Sequence, residues 1–239
     1  MFSILDSVDS TNNYAMAMVH AGMAKHAMAW FAHEQTTGRG QRQKSWESAA
    51  GQNIALSIAV KPPAVFFGKQ FYFSVIIANA CYAFFKKYAG DETSIKWPND
   101  IYWRDRKAGG ILIENKLSVK DWKWAVIGIG ININQTAFDK SLVNPVSLKQ
   151  ITGKSHDPLT LANELYEHIM AAVDSTEISL VNSLQHYNDC LFQMGKTVRL
   201  KKENMVFETR IKGVNGFGQL LTEDTIERQF NFGEIEWVF

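Results

Sequence analysis

Between Lys96 and Leu112 the chain reads Lys-Trp-Pro-Asn-Asp-Ile-Tyr-Trp-Arg-Asp-Arg-Lys-Ala-Gly-Gly-Ile-Leu. Cations, a carboxylate, an amide and two glycines thus lie between two apolar, strand-like runs. A core segment has no need of that mixture, whereas a site that brings an anionic substrate up to a nucleotide phosphate does. Upstream, Glu34 to Trp46 holds a second set. Gly38 and Gly40 flank Arg39, Arg42 and Lys44 add positive charge, and Trp46 offers a flat face for a base. Together the two stretches suggest the joining of an acid to a nucleotide.

Each candidate has a plainer alternative. Lys107, just ahead of Ala108-Gly109-Gly110, can point into a pocket walled by bare backbone and bridge a carboxylate and an α-phosphate; the alternative is a solvated hairpin lysine. Asp100, in a proline-bent turn beside Asn99, can orient Mg²⁺-bound phosphate or an incoming amine; the alternative is an Asx-turn. Asn132 closes a glycine-punctuated strand and can read adenine or ribose, or be a strand-edge amide. Ser10, Thr11 and Asn12 can cap a helix and also hydrogen-bond a polar ring, with Gln35 completing the set. Trp97 reads as core or pocket wall, the 34–46 loop as a ligand loop or an exposed hairpin turn, and Arg104-Asp105-Arg106 as a solvated tip. The six histidines lack metal-ligand spacing, no Ser/His/Asp grouping can be drawn, and Cys81 falls in an apolar run that reads as core.

The elements that must position these residues are legible in outline. A helix is expected through 13–19 after a cap at Ser10 or Thr11, then a strand over 27–33 and the polar loop 35–45. Ile54, Leu56, Ile58 and Val60 alternate with small residues, the period of a strand, until Pro62 and Pro63 stop it. The run 66–89 reads as a buried helix. Short strands follow near 94–97 and 101–103, longer ones over 108–116 and 123–133, and helices over 159–174 and 177–190. Gly128 and Gly130 inside a β-branched strand suggest close approach by a ligand or another chain segment. From Gly195 the character changes to five short strands, with a turn at Asn215-Gly216, which suggests a small barrel packed on the larger part. The division expected is 1–192 and 193–239.

Bulk properties set the frame. The 239 residues suffice for one large domain plus a small one, and 46 % apolar with 21 % charged residues is ordinary for a globular protein. A net charge of +1 gives no reason to expect broad binding to nucleic acid or membrane. Two cysteines far apart suggest a reduced, cytoplasmic setting. Met1 to Asp6 shows neither the basic start nor the apolar stretch of a signal peptide.

In combination these motifs resemble the biotin protein ligases, the biotin–[acetyl-CoA-carboxylase] ligases. The matching pieces are Asp9 to Asn12, Gln35 to Gly40, Trp46, Lys96 to Asp100, Arg106 to Leu112 and Gly128 to Asn132, in the family's order and spacing. The resemblance implies an α+β catalytic domain of the class II synthetase-like type, with a mixed or antiparallel sheet, followed by a small SH3-like β-barrel. It implies an ATP-dependent, AMP-forming enzyme that makes biotinyl-5′-adenylate and passes biotin to a lysine of a biotin carboxyl carrier protein. ATP with Mg²⁺ would be the co-substrate.

By match to the motifs, Ser10, Thr11, Asn12, Gln35, Gly38, Arg39, Gly40, Gln41, Lys107 and Gly110 would bind biotin. Arg39, Arg42, Trp46, Asn99, Asp100, Lys107 and Asn132 would bind ATP. Lys107, Arg39 and Asp100 would be catalytic, and Asp100 would meet Mg²⁺ through the phosphates. The family often has a second arginine where this chain has Gln41, so Arg42 is expected to take part of that role. The motifs begin at Asp9, which leaves no room for an N-terminal helix-turn-helix, so no DNA binding is expected. Dimers can form in this family by edge-strand pairing. Two rivals stand beside this reading: a lipoate or octanoate ligase or transferase, and a non-catalytic biotin or nucleotide sensor.

Overall fold

The structure is a computed structural model that describes residues 1–119 and 121–238, apart from the side chain of Gln43. The chain runs through β1 (Phe2–Val8), α1 (Thr11–His20), β2 (Met28–Gln35), β3 (Ile54–Val60) and α2 (Gln70–Ala89). Then come β4 (Thr93–Lys96), β5 (Asp100–Trp103), β6 (Arg106–Leu117) and β7 (Trp122–Ile131). Three helices follow, α3 (Leu148–Thr152), α4 (Pro158–Val173) and α5 (Leu180–Asp189). The chain ends in β8 (Thr197–Lys202), β9 (Met205–Val214), β10 (Leu220–Glu223), β11 (Glu227–Phe230) and β12 (Glu236–Val238).

The first seven strands form one mixed sheet in the order β1-β2-β3-β7-β6-β5-β4, in which β1 and β2 are parallel and the other pairs antiparallel. Its two faces differ in bulk because the strand sequences alternate. Ile54, Leu56 and Ile58 of β3 and Ile127, Ile129 and Ile131 of β7 point to one side, where α2 and α4 bury them. Each such side chain contributes roughly 1.5–3 kcal/mol when fully buried. A slip of one residue would move Ser57 and Ala55 into that core, so the register is tightly specified.

The opposite face carries Ala55, Ser57 and Ala59 of β3 and Val126, Gly128 and Gly130 of β7, with Ser57 opposite Gly128 and Gly110 of β6 opposite Gly130. Helix α1 covers one end of it, packing Ala15 and Val19 on Trp30, Ala59 and Val126. Beyond that cluster the small residues leave a trough. The sequence alternation read along β3 therefore separates a core face from a site face.

Local signals explain the later helices. Asp157 accepts a hydrogen bond from the Thr160 amide at 2.9 Å and Pro158 opens α4. Ser147 and Gln150 form a reciprocal capping box on the short α3, which ends at Gly153 with φ 74°. That helix, β1 and the 134–147 segment were not legible from periodicity. The helix expected from residue 66 begins at Gln70, after a 3₁₀ turn over 64–66.

The C-terminal strands correct one expectation. They form an open antiparallel sheet in the order β11-β10-β9-β8-β12, not a closed barrel. The three-residue β12 pairs only with β8 among the described residues, so β11 and β12 remain two edges. Leu200, Ile211, Val214, Leu220 and Phe230 join the same core as the large sheet. Asn188 of α5 fixes the junction by exchanging two hydrogen bonds with the Val214 backbone, at 2.7 and 3.0 Å. No helix among the described residues is long and apolar enough to cross a membrane.

Candidate active site

At the α1 end of the trough the polar residues form one network. Ser10, Thr11 and Asn12 are all buried. Ser10 occupies the N-cap of α1, but its side chain makes no capping bond. The Thr11 amide donates instead to Gln35 Oε1 at 2.8 Å, so a residue from β2 caps the helix. Thr11 Oγ1 lies 3.1 Å from Gln35 Oε1 and 2.8 Å from Ser57 Oγ, and Ser57 Oγ donates to Asn12 Oδ1 at 2.6 Å. Asn12 rests directly over Gly128, where any Cβ would overlap its side chain. This is a rigid set of donors and acceptors suited to a small polar ring.

The strand-borne cations come next. Lys107 sits near the start of β6, and its Nζ lies 2.7 Å from Asp100 Oδ1 on the neighbouring β5. Gly110 borders this pair, and a Cβ there would stand 3.3 Å from Asp100 Oδ1 and 3.5 Å from Lys107 Nζ. The wall beside the ammonium is therefore bare backbone, as the Gly-Gly pair suggested. On its other side Lys107 is pinned by the 144–146 segment: its N–H donates to Asn144 O and its carbonyl accepts from Val146 N, both at 2.8 Å. Asn132 is buried and donates to Val146 O at 3.1 Å, holding the same segment. Asn99 Nδ2 donates to Ile111 O at 2.6 Å, so it braces β6. Arg106, expected at a solvated tip, donates to Pro145 O at 2.6 Å.

The glycine loop folds as a tight hairpin over this strip. Arg39 and Ser45 form an isolated bridge, Trp46 N–H donates to Gly38 O at 2.8 Å, and Gly40 N–H donates to Lys44 O at 2.7 Å. A Cβ on Gly38 would overlap the Trp46 carbonyl, so the narrow neck requires glycine. The hairpin reading holds for the backbone, and the loop's side chains reach separate anchors. Trp46 lies on Gly130 of β7, with Lys107 Nζ 6.0 Å from its ring centroid. Gln41 Nε2 approaches Ile111 O at 3.5 Å, and Arg42 reaches Phe232 O at 2.6 Å. Arg39 donates to Asn13 Oδ1 at 2.8 Å and to both oxygens of Glu114, at 3.0 and 3.1 Å.

Glu114 was missed in the sequence. It lies on β6 two residues after Leu112, on the trough face, and its carboxylate also accepts from Asn12 Nδ2 at 3.0 Å. It therefore ties the polar end to the loop arginine. Ser57 was missed for the same reason: a single serine in an alternating strand carries no signal until the sheet shows which face it occupies. Two buried polar atoms of the loop, Trp46 Nε1 and Gln41 Oε1, lack a hydrogen-bond partner among the described residues. Buried polar groups are rarely left so; Trp46 Nε1 has a hydrogen bond to donate and Gln41 Oε1 one to accept.

Lys96 stands opposite Asp100 in the β4–β5 hairpin, buried, with Nζ 3.0 Å from the Tyr102 hydroxyl and 5.3 Å from the Trp237 ring. Burial pulls its ammonium pKa down to about 8; Asp100 opposes the shift, and Lys107 and Lys44 add to it. Cys81 is fully buried, and burial pushes its thiol well above the ordinary range, consistent with a core position.

A mixed sheet with one face cleared of bulk, roofed by a cation-bearing glycine loop and followed by a small antiparallel sheet, is the biotin protein ligase fold. Residues 4–132 match the Biotin/lipoate A/B protein ligase family, and the chain belongs to it. It is 33 % identical to the bifunctional ligase/repressor BirA of Escherichia coli over 180 residues, 73 % of this chain and 54 % of that protein. It is 32 % identical to the biotin–[acetyl-CoA-carboxylase] ligase of Paracoccus denitrificans, covering 65 % of each. The match thus spans about half the length of the E. coli relative. In three dimensions the chain superposes on the biotin protein ligase of Aquifex aeolicus in complex with biotin and ATP. The TM-score is 0.81 at 23 % identity, with 98 % of this chain and 97 % of that one covered.

Proposed function

We propose that the protein activates biotin with ATP to biotinyl-5′-adenylate and transfers the biotinyl group to a lysine of a biotin carboxyl carrier protein. The observation that carries this reading is the convergence over β6. Lys107, Asp100 and the bare Gly110 wall lie under Trp46, while Arg39 closes the trough at Glu114.

In this reading Ser10, Thr11, Asn12, Gln35 and Ser57 hold the ureido ring, with Gly38, Gly40, Gln41 and Gly110 shaping the walls. The biotin carboxylate and the α-phosphate repel until Lys107 and Arg39 stand between them. A carboxylate oxygen then forms a bond to the α-phosphorus and pyrophosphate leaves. In the second step the carrier amine attacks the acyl carbon and AMP leaves with the bonding electrons. Lys107 exchanges Asp100 for the developing anion, and the freed Asp100 carboxylate can orient the amine. Trp46 stacks the base, and Asn99 and Asn132 brace the floor on the ATP side, with Arg42 helping to keep the loop closed.

Among the described residues no three His, Cys, Asp or Glu side chains form a metal cage. Mg²⁺ held mainly by phosphates with Asp100 as protein ligand fits that donor set, and it would supply charge neutralisation at the leaving pyrophosphate. The catalytic part is taken as 1–192 and the small sheet region as 193–239, in a cytoplasmic setting where Cys81 and Cys190 stay reduced.

Substrate-dependent ATP–pyrophosphate exchange, with biotin, lipoate and octanoate offered separately, tests the proposal. Exchange with biotin alone is expected. Exchange only with lipoate or octanoate would move the protein to the other branch of its family, and silence with all three would favour a binding role.

A further inference from the structure

The glycine loop is held from outside the large sheet as well as from within it. Arg42 has φ 54° and ψ 45°, a left-handed conformation uncommon for a residue with a side chain. From there its guanidinium reaches the turn between β11 and β12. One N–H group donates to Phe232 O at 2.6 Å, and the guanidinium carbon lies 4.6 Å from the Phe232 ring centroid. The group also fills the space beside Gly233, where a Cβ of any other residue would overlap it. Three features of two neighbouring turn residues thus fit one side chain: a carbonyl, an aromatic face and a missing Cβ.

The seat itself is tied back to the site. The Phe232 ring meets Trp97 edge-on at 6.0 Å, and Trp97 Nε1 donates to Gly218 O in the β9–β10 turn at 3.0 Å. Trp97 directly precedes the Pro98-Asn99-Asp100 turn. The small sheet therefore touches both parts of the site, the loop hairpin and the strand-borne strip, through neighbouring contacts.

We propose that Arg42, Phe232 and Gly233 form a latch by which the small C-terminal sheet holds the 38–46 loop down over the trough. Arg42 and Phe232 are then positioning residues for retention of the activated acid. Arg42 acts on the ligand through the loop and not by gripping a phosphate. Only the retention half of this inference rests on the proposed function; the holding of the loop does not.

The two roles for Arg42 separate in a double-mutant experiment on the full chain with Arg42→Ala, Phe232→Ala and the pair. Amide hydrogen exchange of residues 38–46 is measured in the ligand-free protein. Release of biotinyl-5′-adenylate, formed in place from biotin and Mg-ATP, is then followed by chase. A latch predicts that Arg42→Ala speeds both exchange and release by about tenfold, the loss of one charge-assisted hydrogen bond, and Phe232→Ala by about threefold, since the main-chain carbonyl stays and only the aromatic face is lost. The double variant should be no faster than the quicker single. Exchange in the β3 and β7 core should stay at the wild-type level, which a general loss of structure would not allow.

A Phe232→Ala protein with wild-type loop exchange and release, beside an impaired Arg42→Ala protein, would overturn the latch and return Arg42 to direct ligand contact. Multiplying effects in the double variant would do the same. If Phe232→Ala does not fold, Phe232→Leu keeps the bulk and removes the aromatic face, and loop exchange unchanged from wild type there would count against the latch. A wild-type protein that makes no adenylate would refute the proposed function while leaving the exchange data to decide the latch.

Discussion

The two halves of the site are built differently. The strip from Lys96 to Glu114 runs through β4, β5 and β6, so Lys96, Asp100, Lys107 and Glu114 are spaced by a ladder of main-chain hydrogen bonds. The loop from Gly38 to Trp46 has an internal hairpin, but among the described residues it is held over the site through Arg39, Gln41, Arg42 and Trp46, each on a different anchor. A strand-borne group holds its place when one neighbour is lost, whereas a loop-borne group moves with the loop. Chemistry that must admit two substrates and then exclude water needs one half of each kind.

The largest effect is expected from the strip. On the proposed function, Lys107→Ala would remove the cation between two anions and leave Asp100 without its partner, so adenylation should fall about a hundredfold to a thousandfold. Single-turnover formation of adenylate measures this, with biotin affinity much less affected.

Two glycines on the trough face of β7, Gly128 and Gly130, sharpen the contrast. Gly128→Ala forces a methyl against Asn12, which Ser57 and Glu114 hold in place, so biotin affinity should drop by about tenfold or more. Gly130→Ala forces the same methyl against Trp46, which the loop can lift away. Its expected effect is smaller and appears in the KM for ATP and not in biotin binding. Titration calorimetry with biotin and steady-state kinetics with ATP distinguish the pair, and equal losses in both quantities would erase the distinction drawn here.

Glu114→Gln should act more weakly. The amide still accepts from Asn12, but the Arg39 ion pair is half-exposed, where such pairs are worth about 0–1 kcal/mol. A severalfold rise in loop exchange, with little change in biotin affinity, is the expected signature.

The last effect concerns stability and pH and leaves turnover aside. The Lys96 ammonium has a pKa near 8 in the folded chain against an ordinary 10.5. The unfolded chain therefore binds the extra proton between those values, and stability should rise with pH from about 8 towards 10. Above that range Tyr102 and Tyr187, whose ionisation burial suppresses, work in the opposite direction. Comparing urea midpoints of wild type and Lys96→Met across pH 7–10 isolates the lysine. The wild type should gain on the variant as pH rises, and a constant difference would show that Lys96 keeps its proton throughout.

The sequence made the strip legible because its residue types are costly outside a site and because alternation along β3 and β7 is unambiguous. Lys107 beside the bare Gly110 wall follows from local pattern, whereas Trp46 on Gly130 joins two residues far apart in sequence. What stayed hidden depends on tertiary placement. Glu114 and Ser57 look like ordinary strand residues until β6, β7 and β3 are aligned. The Ser147–Gln150 capping box opens a helix too short for periodicity to show. The open C-terminal sheet could not be told from a barrel, since five short strands fix neither closure nor edge order. Arg42 was visible as a charge, but its anchor at Phe232 lies 190 positions away in sequence.

The central claim is that strip and loop close on one anionic centre. A crystal structure with a hydrolysis-resistant biotinyl-adenylate analogue tests it most directly. The account predicts the acyl–phosphate junction between Lys107 and Arg39, with Lys107 turned from Asp100 towards the ligand and Trp46 against the base. The analogue lodged elsewhere, for example in the groove lined by Asn79, His168 and His186 between α2, α4 and α5, would contradict it. So would an analogue in the trough that leaves the Lys107–Asp100 pair at its present 2.7 Å with Arg39 still on Glu114.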